Sequence, residues 1–194
     1  MALTDVKVAS RALVLIGANT ISSFTPNPPT TEATVADNLY EGFVEAALSA
    51  YRWRFASGQI DLSRLTAAPQ ARWDAAYQMP TGPAALVLHA VTVLANPIKF
   101  DRYEDMIYCD AADTDTVTAD YTYRVATQYW PPYFTEYVVY KLAGVFASSI
   151  AQKGSLAEVL MGESARLFQA AKLTEAQQQT TRQVRSRRLI DARR

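Results

Sequence analysis

The sequence offers one histidine and one cysteine as candidate catalytic residues, His89 and Cys109. Nucleophilic catalysis requires a base beside the nucleophile, and the G-x-S-x-G and H-E-x-x-H signatures are absent. One histidine excludes zinc sites built on two histidines, and one cysteine excludes an intrachain disulfide or a C-x-x-C knuckle. His89 lies in an apolar, strand-like run, so we interpret it as a packed or surface histidine.

Carboxylates are the next candidates, because glycoside hydrolases use two acids and calcium binds several oxygens. Glu104 and Asp105 are adjacent, so on an extended chain they point to opposite faces. Asp110, Asp113 and Asp115 lie close together but lack the glycine and distal glutamate of an EF-hand loop, and we interpret them as a solvated turn. We predict no catalytic, metal-binding or cofactor-binding residue and no enzyme; a small hydrolase using these acids stays a third hypothesis.

Charge is distributed unevenly although the net charge is zero. Residues 180–194, which we call the arginine tail, contain six arginines and one aspartate, and the other 179 residues therefore carry a net charge of −5. Such a tail can bind phosphates, dock on an acidic protein surface through the planar arginine fork, or serve as a solubilising end. Its apolar residues favour protein docking. The predicted docking residues are Arg182, Arg185, Arg187, Arg188, Leu189, Ile190, Arg193 and Arg194.

Seven of the eleven tyrosines lie between Tyr103 and Tyr137, in an acidic stretch of the chain. Proteins that bind nucleic acids stack bases on aromatic rings beside basic residues, which this stretch has in small number. Because tyrosine is also enriched at subunit interfaces, we favour core and interface positions for these rings.

Hydrophobic periodicity predicts four helices and a small β region. The helices cover about residues 4–16, 31–51, 132–151 and 155–176. Alternating residues 117–125 predict a strand, residues 106–109 a partner strand, and residues 110–115 the hairpin loop between them. Further strand candidates are residues 76–79 and 85–94.

The predicted fold is therefore mainly α: a bundle of about four helices with a small antiparallel β insertion at about residues 76–126 and an extended C-terminal tail. Residues 1–179 form one domain and residues 180–194 a docking tail. No apolar run reaches the roughly 18 residues of a membrane-spanning helix. The single cysteine suits a reducing compartment such as cytoplasm.

Several short stretches, in order along nearly the whole chain, resemble the phage tail tubular protein A family. Each stretch alone is weak, but together they are fairly specific. They are residues 12–18 (ALVLIGA), 21–24 (ISSF), 31–36 (TEATVA) with Tyr40, 51–56 (YRWRFA), 73–80 (WDAAYQMP), 121–125 (YTYRV) and 130–134 (WPPYF).

The resemblance implies a structural virion protein, the head-to-tail adaptor of a tailed phage. Such adaptors form a ring, usually of twelve copies, beneath the portal, with the helical bundle as scaffold and the C-terminal end reaching the portal. The ring extends the DNA channel, which DNA crosses without specific binding, and presents a platform for the tail nozzle or next ring protein. The family implies no catalytic residue, cofactor or membrane; the chain would be assembled in the host cytoplasm and reside at the head–tail interface. The alternative is a nucleic-acid-binding module acting through its arginine tail.

Overall fold

A computed structural model of the protein describes residues 2–66 and 72–178. Its four helices lie within two residues of the predicted ranges. They are α1 (Asp5–Leu15), α2 (Thr31–Ser49), α3 (Pro132–Ser149) and α4 (Gly154–Gln177).

Local sequence signals explain most of the helix ends. The hydroxyl of Thr4 accepts from the Lys7 backbone N–H at 3.3 Å and caps α1, while Gly17, at φ +76°, takes the left-handed conformation that follows its last turn. Proline at the first position of α3 has no donor to lose there. Helix α4 begins at Gly154, one residue before the predicted start, and has no side-chain cap.

Seven strands form two antiparallel sheets among the described residues. The first sheet has the order β1-β7-β3-β4 and the second β2-β6-β5. The strands are β1 (Ser57–Asp61), β2 (Ala75–Gln78), β3 (Ala85–Val93), β4 (Asn96–Ile98), β5 (Phe100–Tyr103), β6 (Met106–Cys109) and β7 (Val117–Tyr123).

The fold is mixed α and β, and the predicted mainly α bundle with a small β insertion is wrong. Helices account for 45% of the described residues and strands for 23%. The unpredicted strands β1, β4 and β5 each lie at the edge of a sheet. They are short and largely polar or exposed, and β4 contains Pro97, so pairing with a neighbour rather than a hydrophobic pattern defines them.

The predicted hairpin between residues 106–109 and 117–125 is also wrong. Strand β6 pairs with β2 and β5, whereas β7 pairs with β1 and β3, so the loop 110–115 crosses from one sheet to the other. Ile107 and Cys109 of β6 and Val117 of β7 share one buried cluster. The two strands therefore face each other across a small sandwich instead of lying side by side.

A second, larger cluster is built around α3, which packs against the other three helices. Trp53 and Phe134 are both fully buried, with ring centroids 5.1 Å apart at an angle of 67°. At Gly144 a Cβ atom would lie 2.9 Å from the Met161 side chain, so this glycine permits the close approach of α3 and α4. Truncating a ring such as Phe134 to alanine is expected to cost about 3–5 kcal/mol.

A polar junction joins the sheets to the helices just after β7. The Arg124 guanidinium donates to Glu41 on α2 at 2.6 Å and to Asp5 on α1 at 3.2 Å, and it lies over the Trp130 ring. The Asp5 carboxylate also accepts from the hydroxyls of Tyr40, at 3.0 Å, and Thr127. We call these residues the Arg124 junction; it fixes the end of the sheets against two helices.

Substituting Asp5 tests the junction. We expect Asp5→Asn to lower the free energy of unfolding at pH 7, because the carboxylate's interactions in the junction are weakened. The loss should be only about 1 kcal/mol, because water screens the Asp5 side chain, which is 45% exposed. Burial alone raises the pKa of Asp5, but hydrogen bonds from Thr127 and Tyr40, with the Arg124 charge, outweigh burial and place this pKa below its usual 3.8. The stabilisation is therefore complete above about pH 4 and is lost as the pH falls through the native pKa.

Denaturant unfolding of wild type and variant between pH 7 and pH 2 measures this difference. The matched control is Asp37→Asn, a change at an exposed position of α2, which should leave the unfolding free energy nearly unchanged. A wild-type advantage that persists undiminished at pH 2 contradicts the assignment.

Candidate docking surfaces

The predicted docking residues lie outside the described residues. These are Arg182, Arg185, Arg187, Arg188, Leu189, Ile190, Arg193 and Arg194. The structure does describe the helix that precedes the arginine tail, because α4 ends at Gln177.

The last turn of α4 is attached to the body by a buried acid, Glu175, which is 2% exposed. Its carboxyl oxygens accept from the Arg54 backbone N–H at 2.7 Å and from the Tyr133 hydroxyl. Burial and this hydrogen bond raise the pKa of Tyr133, which stays a donor. The Arg54 side chain donates to the Gln178 carbonyl at 2.7 Å. We call this group the Glu175 anchor; it fixes the helix end to α3 and to the segment that precedes β1.

Sequence reasoning missed Glu175, because an acid near the end of a fading helical pattern resembles a surface residue. The signal was its spacing. Glu175 lies four residues after Ala171 on the face that also buries Leu160 and Ser164. A carboxyl group on that face requires a partner, which neighbouring elements supply.

His89 has a hydroxyl neighbour but no catalytic arrangement. Its Nε2 lies 2.7 Å from the Thr122 hydroxyl oxygen, and Thr122 is fully buried, where no substrate reaches it. Burial and the Arg52 charge lower the pKa of His89, against the opposing effect of Asp120. The Asp120 carboxylate is itself held by Arg52 at 3.1 Å and by Gln59 at 2.6 Å. His89 is therefore a half-buried sheet residue.

Cys109 is fully buried between the two sheets. Burial, with the nearby Asp110 charge, raises the pKa of its thiol to about 11, although Arg64 acts in the opposite direction. Because the thiolate is the reactive form, this thiol is unreactive at neutral pH and serves in packing.

The two acidic clusters are turns and loops with separate partners. Glu104 and Asp105 form the two-residue turn between β5 and β6, with Glu104 at φ +55°, so the expected extended conformation is wrong here. In the loop, Asp113 pairs with Arg64 at 2.7 Å and Asp115 accepts from the loop's own backbone. Within residues 2–66 and 72–178, no group of three His, Cys, Asp or Glu side chains could hold a metal ion.

A groove of about 600 Å³ lies between α1 and α3. We call it the α1–α3 groove. Val14 and Leu15 are exposed in it, by 59% and 38% of their surface. Among its lining residues are Lys7, Arg11, Val14, Leu15, Glu136 and Val139. It combines an apolar lining with two basic side chains and one acidic side chain.

At the far end of the first sheet, Leu94 and Ala95 form the tip of the two-residue hairpin between β3 and β4. Leu94 is 84% exposed, the largest value among the exposed large apolar residues. Both residues have left-handed φ angles, +48° and +64°, which cost non-glycine residues roughly 1–2 kcal/mol each. Asn-Gly is the usual pair in such a turn. The β3–β4 tip therefore presents an apolar side chain on a strained backbone.

Few of the large aromatic side chains are exposed and available for contacts between subunits. Trp53 and Trp130 are buried and hold the helical core. Of the seven tyrosines between Tyr103 and Tyr137, only Tyr103 and Tyr129 are more than half exposed. Both of these tryptophan rings pack against Phe134.

No family model matches the chain. No curated protein shows a significant match to it either. Across the part of the chain that the structure describes, none of the helices has the length and apolarity needed to cross a membrane.

Replacing the anchoring acid tests its role at the end of α4. We expect Glu175→Gln to lower the free energy of unfolding by about 1–3 kcal/mol, because an amide nitrogen then faces one of two buried donors. The matched control is Glu163→Gln on the same helix, where an exposed pair with Arg166 should contribute less than about 0.5 kcal/mol. Denaturant unfolding measures both, and equal effects of the two variants contradict the anchor.

Proposed function

We propose that this protein is the head-to-tail adaptor of a tailed phage, a structural virion protein without catalytic activity. In this proposal, twelve copies form a ring that joins the portal protein to the tail nozzle and extends the DNA channel. The observation that carries it is the Glu175 anchor. It fixes the end of α4, the helix that precedes the arginine tail in the chain, against the helical core. A docking segment that follows a fixed helix end would start from an equivalent position in every copy of a ring.

The charge distribution supports a role in docking and passage. The residues outside the arginine tail carry a net charge of −5, and like charge disfavours contact with DNA phosphates. Twelve such bodies around a channel would let DNA pass without gripping it. The arginines, by contrast, suit carboxylates on an acidic partner, because each planar guanidinium can donate two parallel hydrogen bonds.

A second candidate is a nucleic-acid-binding module, and six arginines within residues 180–194 favour it. The two candidates differ in salt dependence and in their need for apolar residues. Phosphate binding falls steeply with salt and does not require Leu189 or Ile190. Docking on a protein uses these side chains as well as the charge.

Removing the arginine tail separates folding from docking. We expect truncation after Gln179 to leave circular dichroism and melting temperature nearly unchanged and to abolish binding to the portal protein encoded in the same phage genome. Replacing the six arginines by lysines should weaken binding although the charge is kept, because lysine lacks the bidentate fork. Leu189→Ser with Ile190→Ser should also weaken it. Normal portal binding by the serine variant, with DNA affinity lost only on truncation, favours the nucleic-acid-binding module instead.

Ring formation tests the adaptor itself. We expect the isolated full-length chain to be a monomer or a weakly associated mixture in sedimentation at micromolar concentration. Mixed with that portal protein, it should form rings on the portal in electron micrographs, because docking gathers the copies side by side. Stable rings of the isolated chain contradict the proposed order of assembly, and absence of rings on the portal contradicts the adaptor.

A further inference from the structure

We propose that the β3–β4 tip of one copy inserts into the α1–α3 groove of the next copy. This contact rests on the proposed ring, for which it supplies the joint between neighbours. It pairs Leu94, the most exposed large apolar side chain of the described residues, with the α1–α3 groove.

The tip is built as a projection. Val93 and Asn96 close the hairpin, which leaves Leu94 and Ala95 outside the ladder. Leu94 is 84% exposed, and both tip residues hold left-handed φ angles that glycine or asparagine would adopt more easily. For the isolated chain, a leucine at this position is unfavourable because it exposes apolar surface to water and because its backbone conformation is strained. A partner surface that removes Leu94 from water would offset that disadvantage.

The groove suits such a projection. Its volume of about 600 Å³ falls in the range of clefts that accommodate ligands. Val14, Leu15 and Val139 give it an apolar lining, and two of these are themselves exposed. Inserting Leu94 would cover apolar surface on both sides of the contact.

The tip does not occupy the groove of its own chain, because Leu94 and Val14 are both exposed there. Along β7, the pairing runs from Tyr123, beside the Arg124 junction, to Val117, which pairs with Val93. Six residues at roughly 3.4 Å each place the tip about 20 Å beyond the junction. The contact must therefore join two copies through two different patches, and such heterologous contacts generate rings when the rotation closes.

Charge at the two patches is complementary. The end of the first sheet that carries the tip is acidic. Asp61 lies there, beside the hydrogen bond from the Leu62 N–H to the Val117 carbonyl, and the loop that enters β7 at this end contains Asp113 and Asp115. Arg64 pairs with Asp113 and offsets its charge. The groove carries Lys7 and Arg11 against Glu136. The tip end is therefore net negative and the groove net positive, which favours their approach.

The size of the contact explains why it needs a ring. One hairpin tip covers far less than the roughly 1,200 Å² of a stable protein–protein interface. A single pair would hold together weakly, whereas copies gathered on a portal meet at high effective concentration. The contact thus fits an adaptor that stays dispersed until it reaches the portal.

Disulfide trapping in the full-length chain tests this contact. Two single-cysteine proteins are prepared in a Cys109→Ala background, one with Leu94→Cys and one with Val14→Cys, and only one carries an affinity tag. Mixed under mild oxidation, they should form a tagged–untagged crosslink at least tenfold more than a matched pair of Val14→Cys with Leu173→Cys. Leu173 is the control because it is 67% exposed on α4. Crosslinking no greater than in the control pair overturns the proposal.

A second variant tests the contact without cysteines. Leu94→Asn with Ala95→Gly places a favourable pair in the turn, so the melting temperature should stay equal or rise. Rings on the portal should nevertheless be lost. Normal rings with this variant overturn the contact while leaving the adaptor intact. If Val14→Cys crosslinks instead to Leu189→Cys, the arginine tail occupies the groove and the proposal is wrong. Trapping of the Leu94–Val14 pair without rings on the portal supports the contact and contradicts only the adaptor.

Discussion

The Arg124 guanidinium is the interaction on which the arrangement of the two halves depends. Arg124 directly follows β7, and its guanidinium donates to Glu41 on α2, to Asp5 on α1 and to the Val125 carbonyl. The Trp130 ring lies against one face of the guanidinium. A largely buried guanidinium is stable only when nearly all its N–H donors are hydrogen-bonded. The position of Arg124 therefore requires both carboxylates beside it, and with them α1 and α2. The helices and the sheets have separate hydrophobic clusters, and this junction sets how one stands on the other.

That separation gives the molecule two ends with different properties. At one end Glu175 fixes the last turn of α4 to the helical cluster, and its carboxyl group joins α4 to α3 and to the segment before β1. At the other end the paired sheets carry an exposed, strained tip. The two ends are joined by the Arg124 junction, by two chain crossings and by the packing of Leu86 and Tyr123 against the helical cluster, so each end can serve a different surface. Such a division would suit the proposed adaptor, which must meet a portal, a nozzle and its own neighbours.

The residues that looked most reactive have structural roles, for a shared physical reason. Burial removes Cys109 from solvent and raises the pKa of its thiol, and it places the hydroxyl partner of His89 where no substrate reaches. The acids that might have bound a metal each have a partner of their own, such as Arg64 for Asp113.

The amino-acid sequence determined the four helices and the strands β2, β3, β6 and β7, because apolar spacing, threonine caps, Gly17 and the prolines act over a few residues. Only the tertiary structure decided the edge strands β1, β4 and β5, which owe their conformation to a partner strand. It also separated residues 106–109 from 117–125 into two sheets, since pairing depends on which faces are buried together. Glu175 lay on a helix face that the pattern marked, yet its burial required Arg54 and Tyr133, 121 and 42 residues away along the chain. The groove and the exposed tip likewise arise from the packing of α1 on α3 and from a turn whose residues local preference does not favour, and neither can be derived from spacing alone.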